Sequence, residues 1–488
     1  MCQKGARRES EEDVLKLRAF NTLTKRKEEF VPIEKGKVGM YVCGPTVYDY
    51  IHIGNARSFV AFDVIRRYLE YKGYKVTYVS NLTDVDDKTI RRAKEVGISL
   101  QQLGEKYSDA YFNDLTKLGI KKPTINPRAT QHIEEIINLI QTLIDKGYAY
   151  VVDGNVCYDI SKFKDYGKLS GNKAEALEAG ARIEVDPRKR NPADFSLWKK
   201  QKSGEPAWSS PWGRGRPGWH IECSVMSTKY LGETLDIHAG GKDLIFPHHE
   251  NEIAQSEAAT GKPFAKYWLH NEWLTVNGEK MSKSLGNFIT AHEAIEKYGS
   301  QVVRLFLVSV HYRSPIDFND RSLKQAKSNL EKLLNAMENF HALRERERKR
   351  AVGKELLKQV EKIRQKFEEA MDDDFNTALA VSALFSLTRE INRYAKDHME
   401  IGAEVKKNIK GIVKRLVKDV LGIKMDGRKP ETDKLVENLM NLIIDIRRQM
   451  REQEHWKTAD EIRAKLRALG LVLEDKPEGT EWKIERKL

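Results

Sequence analysis

The chain of 488 residues is poor in cysteine and has no long apolar run. Its four cysteines, Cys2, Cys43, Cys157 and Cys223, are too few and too scattered for a disulfide framework, so we expect them to be reduced. No stretch approaches the ~18 consecutive apolar residues of a membrane span. Residues 1–20 are charged and lack the apolar core of a secretory signal. The sequence therefore predicts a cytoplasmic protein rather than a membrane or secreted one.

The charge is unbalanced toward the basic side. The sequence has 85 Lys and Arg against 72 Asp and Glu, a formal net charge of +13. A basic surface attracts polyanions such as nucleic acids. A lysine- and glutamate-rich surface of a heat-stable protein would give a similar total, so charge alone leaves both interpretations open. The length exceeds what one hydrophobic core usually supports and favours roughly three or four domains.

The first regular pattern is a βαβ unit. The segment "KVGMYVCG" reads as a short apolar strand, "ARSFVAFDVIRRYLEYKG" as an amphipathic helix, and "YKVTYVS" as a second strand that ends in the acidic turn "NLTDVDDK". Parallel strands joined by a helix predict an α/β fold with a doubly wound sheet, whose ligand lies at the carboxyl ends of the strands.

The segment "FPHHENE", residues 246 to 252, is rich in titratable side chains. It reads as a helix with proline near its first turn, so His248 and Glu252 share one face while His249 and Glu250 point elsewhere. A metal ion would therefore select His248 and Glu252. The alternative is a helix start whose glutamates favour the helix dipole and whose histidines only pack.

Two cysteines could complete such a site. Cys43 ends the first strand, and Cys223 in "GWHIECSV" precedes the strand "TLDIHAGG". Two thiolates, an imidazole and a carboxylate form a ligand set that zinc accepts. Each cysteine taken singly could instead be a small buried apolar residue, and the spacing matches no compact zinc-finger pattern.

Two short motifs point to a family. "YIHIGN", residues 50 to 55, and "KMSKS", residues 280 to 284, resemble the HIGH and KMSKS motifs of class I aminoacyl-tRNA synthetases. Within that class, "MYVCGPTVYDYIHIGNAR", "NLTDVDDK", "GRPGWHIECS", "GGKDLIFPHHENE" and "EAMDDDFNTALA" are similar to cysteinyl-tRNA synthetases from about residue 20 to the end. One departure is Asn55, which stands where HIGH has its second histidine.

The resemblance and the helical and strand patterns together predict the domain organisation. It comprises an amino-terminal extension, a Rossmann-like catalytic domain with a connective insertion, a stem-contact region with the KMSKS loop, an α-helical bundle and a small anticodon-binding domain. The predicted boundaries are 1–19 for the extension, 20–132 and 215–255 for the two catalytic halves, 133–214 for the insertion, 256–322 for the stem-contact region, 323–424 for the bundle and 425–488 for the last domain.

The resemblance implies an enzyme that activates L-cysteine with ATP and transfers it to tRNA(Cys). His52 and Asn55 would contact the triphosphate, Gly54 would let the nucleotide approach the backbone, and Lys280 and Lys283 would close on the phosphates. Mg²⁺ would accompany ATP. Positioning and charge neutralisation suffice for this chemistry, so no protein nucleophile is needed.

The resemblance also implies that Cys43, Cys223, His248 and Glu252 bind one zinc ion, which recognises the substrate thiol. Because a hydroxyl is a harder and far less acidic ligand, serine should be rejected without an editing domain. The cysteine pocket would comprise Thr83, Trp219, Asp243 and His248. Trp219 as a core residue and Asp243 as a turn residue stay open as alternatives.

The carboxyl-terminal end would contact tRNA. The positions that match the family's anticodon-reading residues are Arg451, Trp456, Asp460 and Asp475, although surface charges and a core tryptophan would look the same in sequence. "DDDFNTA", residues 372 to 378, more simply caps a bundle helix than binds a metal. No membrane partner is expected, and the family resemblance implies a monomer.

Two other functions compete with this reading. A related ligase joins cysteine to an aminosugar but lacks the anticodon-binding end, whereas this chain keeps a long basic helical terminus. A catalytically silent paralogue that binds tRNA is the other alternative, and the intact KMSKS lysines and His52 argue against it.

Overall fold

The structure is a computed structural model and describes residues 16–172, 188–282, 285–347, 352–425, 431–476 and 479–484. The chain divides into two compact units, Met1–Lys424 and Met425–Leu488. Among the described residues, none of the helices combines the length and apolar character needed to cross a membrane.

The regular elements are numbered in chain order within the described residues. The strands are β1 (Arg18–Asn21), β2 (Arg26–Glu29), β3 (Lys37–Val42), β4 (Lys75–Val79), β5 (Ala149–Val152), β6 (Asn155–Tyr158), β7 (Phe195–Lys200), β8 (Gly215–Pro217), β9 (Leu235–Gly241), β10 (Ala265–Asn271), β11 (Leu274–Val276), β12 (Glu279–Lys280), β13 (Ile316–Phe318), β14 (Arg344–Arg346), β15 (Glu400–Gly402), β16 (Leu471–Lys476) and β17 (Gly479–Ile484). The helices are α1 (Ile53–Tyr71), α2 (Asp87–Val96), α3 (Leu100–Lys117), α4 (Ile133–Asp145), α5 (Trp219–Leu231), α6 (Glu250–Thr260), α7 (Ala291–Tyr298), α8 (Ser300–Val308), α9 (Asp320–Ala342), α10 (Lys354–Asp372), α11 (Thr377–Asp397), α12 (Ala403–Val413), α13 (Glu431–Glu452) and α14 (Trp456–Ala468).

A parallel four-stranded sheet forms the centre of the first unit, in the order β10-β9-β3-β4. The βαβ unit predicted from the sequence is β3, α1 and β4, and the doubly wound α/β class is confirmed. Because β4 lies on one side of β3 and β9 on the other, the strand order reverses at β3. A crevice therefore opens at the carboxyl ends of β3 and β9, the usual ligand position in such sheets.

A second, antiparallel sheet is inserted between β4 and β9 in the order β5-β6-β7-β8. Ile140 of α4 and Trp198 of β7 share one hydrophobic core with Val225 of α5 and Ala254 of α6. The Tyr158 hydroxyl also donates to the Ala254 carbonyl over 2.9 Å. The insertion therefore supports α5 and α6 from behind, and these two helices border the crevice.

The structure corrects the expected helix at "FPHHENE". The α-helix begins only at Glu250, and Ile245–His249 forms a wider π-helical turn in which Phe246 has an extended backbone (φ −136°, ψ 132°). The physical reason is Pro247, whose ring disfavours helical φ/ψ for the residue before it. The two histidines therefore lie on the turn that enters α6 and not on a regular helix.

Helices dominate the remainder of the first unit. α9 to α12 form the predicted bundle, and the Asn376 side chain accepts a hydrogen bond from Leu379 N to cap α11. "DDDFNTA" thus caps a bundle helix, as its sequence predicts. In the second unit, α13 and α14 pack on the β16–β17 hairpin around Met440, Leu466 and Leu473.

Candidate active site and metal centre

Cys43, Cys223, His248 and Glu252 meet in the crevice. Their ligand atoms all lie within 4.8 Å of one another, and all four residues are buried. The Cys43 and Cys223 sulfurs are 4.0 Å apart, and Cys43 Sγ lies 3.6 Å from Glu252 Oε1. His248 Nε2 is 3.0 Å from the same carboxylate oxygen. The four groups come from the residue after β3, from α5, from the turn before α6 and from α6 itself, so the fold assembles donors far apart in sequence.

Electrostatics favour charged ligand forms in this cluster. The hydrogen bond from Cys43 lowers the pKa of the Cys223 thiol to about 6. Burial alone would raise the pKa of Glu252, but the nearby His238 and His248 lower it to about 2. Burial raises the pKa of the Cys43 thiol. A thiolate and a carboxylate are thus present near neutral pH, and an incoming cation would favour loss of the remaining thiol proton.

A second set of metal-capable groups overlaps the first. Cys43, His238, His249 and Glu252 also place one ligand atom each within 4.8 Å of one another. Cys43 Sγ lies 3.3 Å from His249 Nε2, and His238 Nε2 lies 2.8 Å from Glu252 Oε2. The expectation that His249 points away from the cluster is therefore wrong. The wide turn, instead of a regular helix, brings His249 back toward Cys43.

Glu250, in contrast, does point away from the cluster. Its carboxylate accepts a hydrogen bond of 2.9 Å from Gly167 N and one of 2.8 Å from Ser170 N, both in the insertion. Glu250 therefore fastens the insertion to the first turn of α6.

The sequence analysis missed His238 and His270, which lie buried near the metal candidates, and expected His249 to point elsewhere. His238, His249 and His270 have side chains that are nearly inaccessible, and His249 Nδ1 lies 2.8 Å from His270 Nε2. His238 contacts the carboxylate of Glu252 and His249 the thiol of Cys43, so both are placed to orient ligands of the first set. The available signal was a histidine within the apolar strand "LDIHAGG".

The first set of donors fits zinc better than the second. It supplies two soft sulfurs, one borderline imidazole and one hard carboxylate, all of which zinc accepts in a four-coordinate site. The second set has one sulfur only. The ring of Trp219 stacks on the ring of His248, with 4.3 Å between the ring centres. Because Trp219 is 38% exposed, the first set lies on the open side of the crevice.

The two signature motifs also meet. His52 is the N-cap of α1: its Nδ1 accepts from Asn55 N at 3.1 Å, and its own N donates to Asn55 Oδ1 at 3.3 Å. The backbone on either side pairs with the segment that follows KMSKS, with Ile53 N donating to Ile289 O and Ala291 N to Ile51 O. The fold thus brings the HIGH-like turn and the end of the KMSKS segment into direct contact.

Of the two KMSKS lysines, the structure describes Lys280. Lys280 is exposed at the end of β12, with its ammonium 5.6 Å from the ring centre of Trp273. Asn287 closes the loop by accepting from Ser282 N at 2.8 Å and donating to Lys280 O at 3.2 Å. Met281 reaches the HIGH-like turn, since its terminal carbon would lie 3.7 Å from a Cβ on Gly54. Lys283 lies outside the described residues.

The expected cysteine pocket borders the same crevice. Trp219 is partly exposed and is therefore not a core residue. Thr83 is buried, and its hydroxyl donates to Glu222 Oε2 at 2.9 Å and accepts from Asn81 Nδ2 at 3.3 Å. Asp243 is exposed in the turn directly after β9.

A cavity of about 520 Å³ opens beside Trp219, between the insertion and the catalytic sheet. Its lining includes Asp87, Lys199, His220 and Phe246. The cavity is large enough for a small organic ligand next to the metal candidates.

Three of the four expected anticodon residues cluster in the second unit. Arg451 Nη1 lies 3.2 Å from Asp475 Oδ2, and its guanidinium carbon lies 5.6 Å from the ring centre of Trp456. Asp460 is exposed on α14, one turn after Trp456. The exposed indole and nearby charges suit contact with an unpaired base.

Comparison with protein-family models identifies the class and then the family. Residues 29–328 match the catalytic domain of class I (C) tRNA synthetases, and residues 366–425 match a DALR domain. The doubly wound sheet and the joined signature motifs thus belong to a class I aminoacyl-tRNA synthetase. Residues 439–482 match the anticodon-binding domain of cysteinyl-tRNA ligases. The chain belongs to the cysteine–tRNA ligase family, whose members are ATP-dependent ligases.

Curated relatives support this assignment over nearly the whole chain. The cysteine–tRNA ligase of Carboxydothermus hydrogenoformans is 52% identical over 468 residues, which are 96% of this chain and 100% of the relative. The corresponding ligase of Thermococcus onnurineus is 50% identical over 477 residues, 96% of this chain and 99% of the relative.

Solved structures show the same fold at low identity. The methionyl-tRNA synthetase of Mycobacterium tuberculosis, in complex with methionyl-adenylate, has a TM-score of 0.56 at 16% identity and covers 79% of this chain and 89% of its own. The leucyl-tRNA synthetase of Agrobacterium radiobacter has a TM-score of 0.58 at 12% identity and covers 81% of this chain and 84% of its own.

Proposed function

We propose that the protein activates L-cysteine with ATP to cysteinyl-adenylate and transfers the cysteinyl group to the 3′ end of tRNA(Cys). The observation that carries this proposal is the buried cluster of Cys43, Cys223, His248 and Glu252 in the crevice of a class I synthetase fold. A crevice that binds any small amino acid would not need two sulfur ligands at its base. The anticodon-domain match over residues 439–482 argues against the aminosugar ligase.

The substrate thiol is the feature we expect this cluster to recognise. A zinc ion held by the four groups would accept the thiolate of cysteine as a further ligand and disfavour the hydroxyl of serine. Trp219, stacked on His248, would close the pocket over the side chain. Thr83 would line the pocket wall, and Asp243 would attract the substrate ammonium from the exposed end of β9.

The HIGH-like turn and the KMSKS loop would hold ATP with its Mg²⁺. His52 and Asn55 shape the first turn of α1, where the positive end of the helix dipole favours phosphate, and Gly54 leaves room for the nucleotide. Lys280 and Lys283 would neutralise charge on the transferring phosphoryl group. The position of Met281 supports this role, because its terminal carbon would lie 3.7 Å from a Cβ on Gly54 and so reaches the nucleotide end of α1.

The second unit would read the anticodon. Trp456 offers an exposed ring for stacking, while Arg451, Asp460 and Asp475 supply donors and acceptors for base edges. We further propose that residues 133–214 act as a connective insertion. Residues 256–322 would form the stem-contact region, except for β10, which the structure places in the catalytic sheet beside β9. Because the residues proposed for cysteine and ATP all come from one chain, a monomer suffices.

The test is cysteine-dependent exchange of pyrophosphate into ATP, followed by aminoacylation of a tRNA(Cys) transcript. Exchange with cysteine, at least a hundredfold weaker exchange with serine, and charging of the transcript are the expected results. Well-folded, metal-loaded protein that catalyses no exchange would refute the proposal, and exchange without charging would point to a small acceptor instead of tRNA.

A further inference from the structure

The Asp475 carboxylate has an unusually complete set of donors. Arg447 forms a bidentate pair with it, Nη1 to Oδ1 at 2.9 Å and Nη2 to Oδ2 at 3.0 Å. The Thr480 hydroxyl donates to Oδ1 at 2.7 Å, and Arg451 Nη1 donates to Oδ2 at 3.2 Å. A carboxylate offers about four lone-pair sites, two on each oxygen. In this structure all of them are used by the protein itself, so a nucleic-acid base can bond to Asp475 only if one donor leaves.

The donors differ in how easily they could leave. The Arg447 side chain is only 5% exposed, and its planar group holds both oxygens at once. The Arg451 side chain is 44% exposed, makes the longest of the four bonds, and lies over the exposed ring of Trp456. Breaking the pair between Arg447 and Asp475 would leave the Arg447 guanidinium buried without its carboxylate, whereas Arg451 can turn to solvent or to a phosphate at little cost.

We propose that Arg447 is a positioning residue for RNA recognition. Together with Thr480 it holds the Asp475 carboxylate in place, while Arg451 gives up its bond to that carboxylate when an unpaired base binds. A base with an amino or ring N–H donor then takes the vacated site on Oδ2, stacks on Trp456, and leaves Arg451 to pair with the RNA backbone or an acceptor edge. This inference rests on the proposed function, in which Arg451, Trp456 and Asp475 contact the anticodon.

The experiment compares charging of transcripts that differ in a single anticodon base. The full-length protein is assayed for kcat/KM on tRNA(Cys) and on transcripts changed at each anticodon position in turn, with pyrophosphate exchange as a parallel readout. Asp475→Asn should reduce discrimination at one position at least tenfold. Arg447→Gln should reduce it at the same position at least fivefold, and should cause no further loss when combined with Asp475→Asn. Pyrophosphate exchange involves no tRNA and serves as the check that each variant is folded and active.

Two further variants separate positioning from plain stability and test the exchange of partners. Thr480→Val removes a different donor from the same carboxylate without leaving a buried charge, so it should reduce discrimination at the same position even if Arg447→Gln folds poorly. Arg451→Gln should raise the KM for tRNA(Cys) but preserve the discrimination at the position that Asp475 reads. Arg448→Gln is the matched control, because Arg448 follows Arg447 on α13, is 67% exposed and pairs with Asp445 and Glu452.

The alternative outcomes are distinct. If Arg447→Gln and Thr480→Val lower charging of all transcripts equally, Arg447 has only a structural role and the inference is overturned. If Arg451→Gln loses the same discrimination as Asp475→Asn, Arg451 stays on the carboxylate and the exchange of partners is wrong. If Asp475→Asn keeps full discrimination at all three positions, the anticodon assignment in the proposed function itself fails.

Discussion

Replacing Cys223 with serine should decide which of the two overlapping ligand sets holds the metal ion. Cys223 belongs only to the set with two sulfurs, and its thiol has a pKa of about 6, so it supplies a thiolate at neutral pH. Four-ligand zinc sites bind with about 10–16 kcal/mol in total, or roughly 3 kcal/mol for each ligand. A serine hydroxyl stays protonated and contributes little of this. We therefore expect Cys223→Ser to weaken zinc binding by about two orders of magnitude.

His249→Gln provides the opposing measurement. His249 belongs only to the second set. If the first set holds the metal ion, His249 is not a ligand and only contacts the ligand Cys43. Contacts of that kind change metal affinity by about tenfold. Zinc content is measured by mass spectrometry after equilibration with a competing chelator at graded concentrations. Cys157→Ser, which changes a buried cysteine in the insertion, is the matched control and should retain one zinc per chain. Loss of zinc from His249→Gln, with full retention by Cys223→Ser, would refute the assignment to the first set.

Three further predictions concern stability, activity and pH. Asp63→Asn should lower the free energy of unfolding in urea by about 3–5 kcal/mol, because it removes the buried carboxylate that lies 2.6 Å from Arg304. The control Asp320→Asn changes an exposed carboxylate and should lower it by less than about 1 kcal/mol. Equal losses in the two variants would contradict this prediction. Gly54→Ala should lower the rate of pyrophosphate exchange about 10- to 100-fold, because the added carbon would lie 2.9 Å from His52 Nδ1. The free energy of unfolding should change little, because alanine favours the helix. A variant with full exchange activity would refute this prediction. Burial lowers the pKa of His270 to about 3, below its usual value of 6.5, so its contribution to stability is complete above pH 6.5 and is lost as the pH falls toward 3. Between pH 6.5 and pH 3, the free energy of unfolding of His270→Gln should therefore fall by about 5 kcal/mol less than that of the wild type. If urea unfolding of the two proteins shows the same pH dependence, this prediction is wrong.

The βαβ unit and the cap at "DDDFNTA" were predictable because they depend on local chemistry. The apolar runs of β3 and β4 and the helical period between them determine that unit over about forty residues, and Asn376 caps α11 through a bond to a residue three positions on. The helix start at "FPHHENE" was predicted wrongly because the preference for proline in a first turn competed with its effect on the preceding residue. In this chain the second effect prevailed at Phe246.

By itself the sequence determined the family, through motifs whose spacing and residue types resemble those of cysteinyl-tRNA synthetases, and it named four residues with the chemistry of a zinc site. Only the tertiary structure decided that these residues meet, because Cys43 and Cys223 are 180 positions apart and reach one crevice through the reversal of strand order at β3. It also decided that His249 faces Cys43 and that Arg447 holds Asp475, 28 positions away. Such contacts depend on how a turn bends and how two elements pack, and no local pattern encodes either.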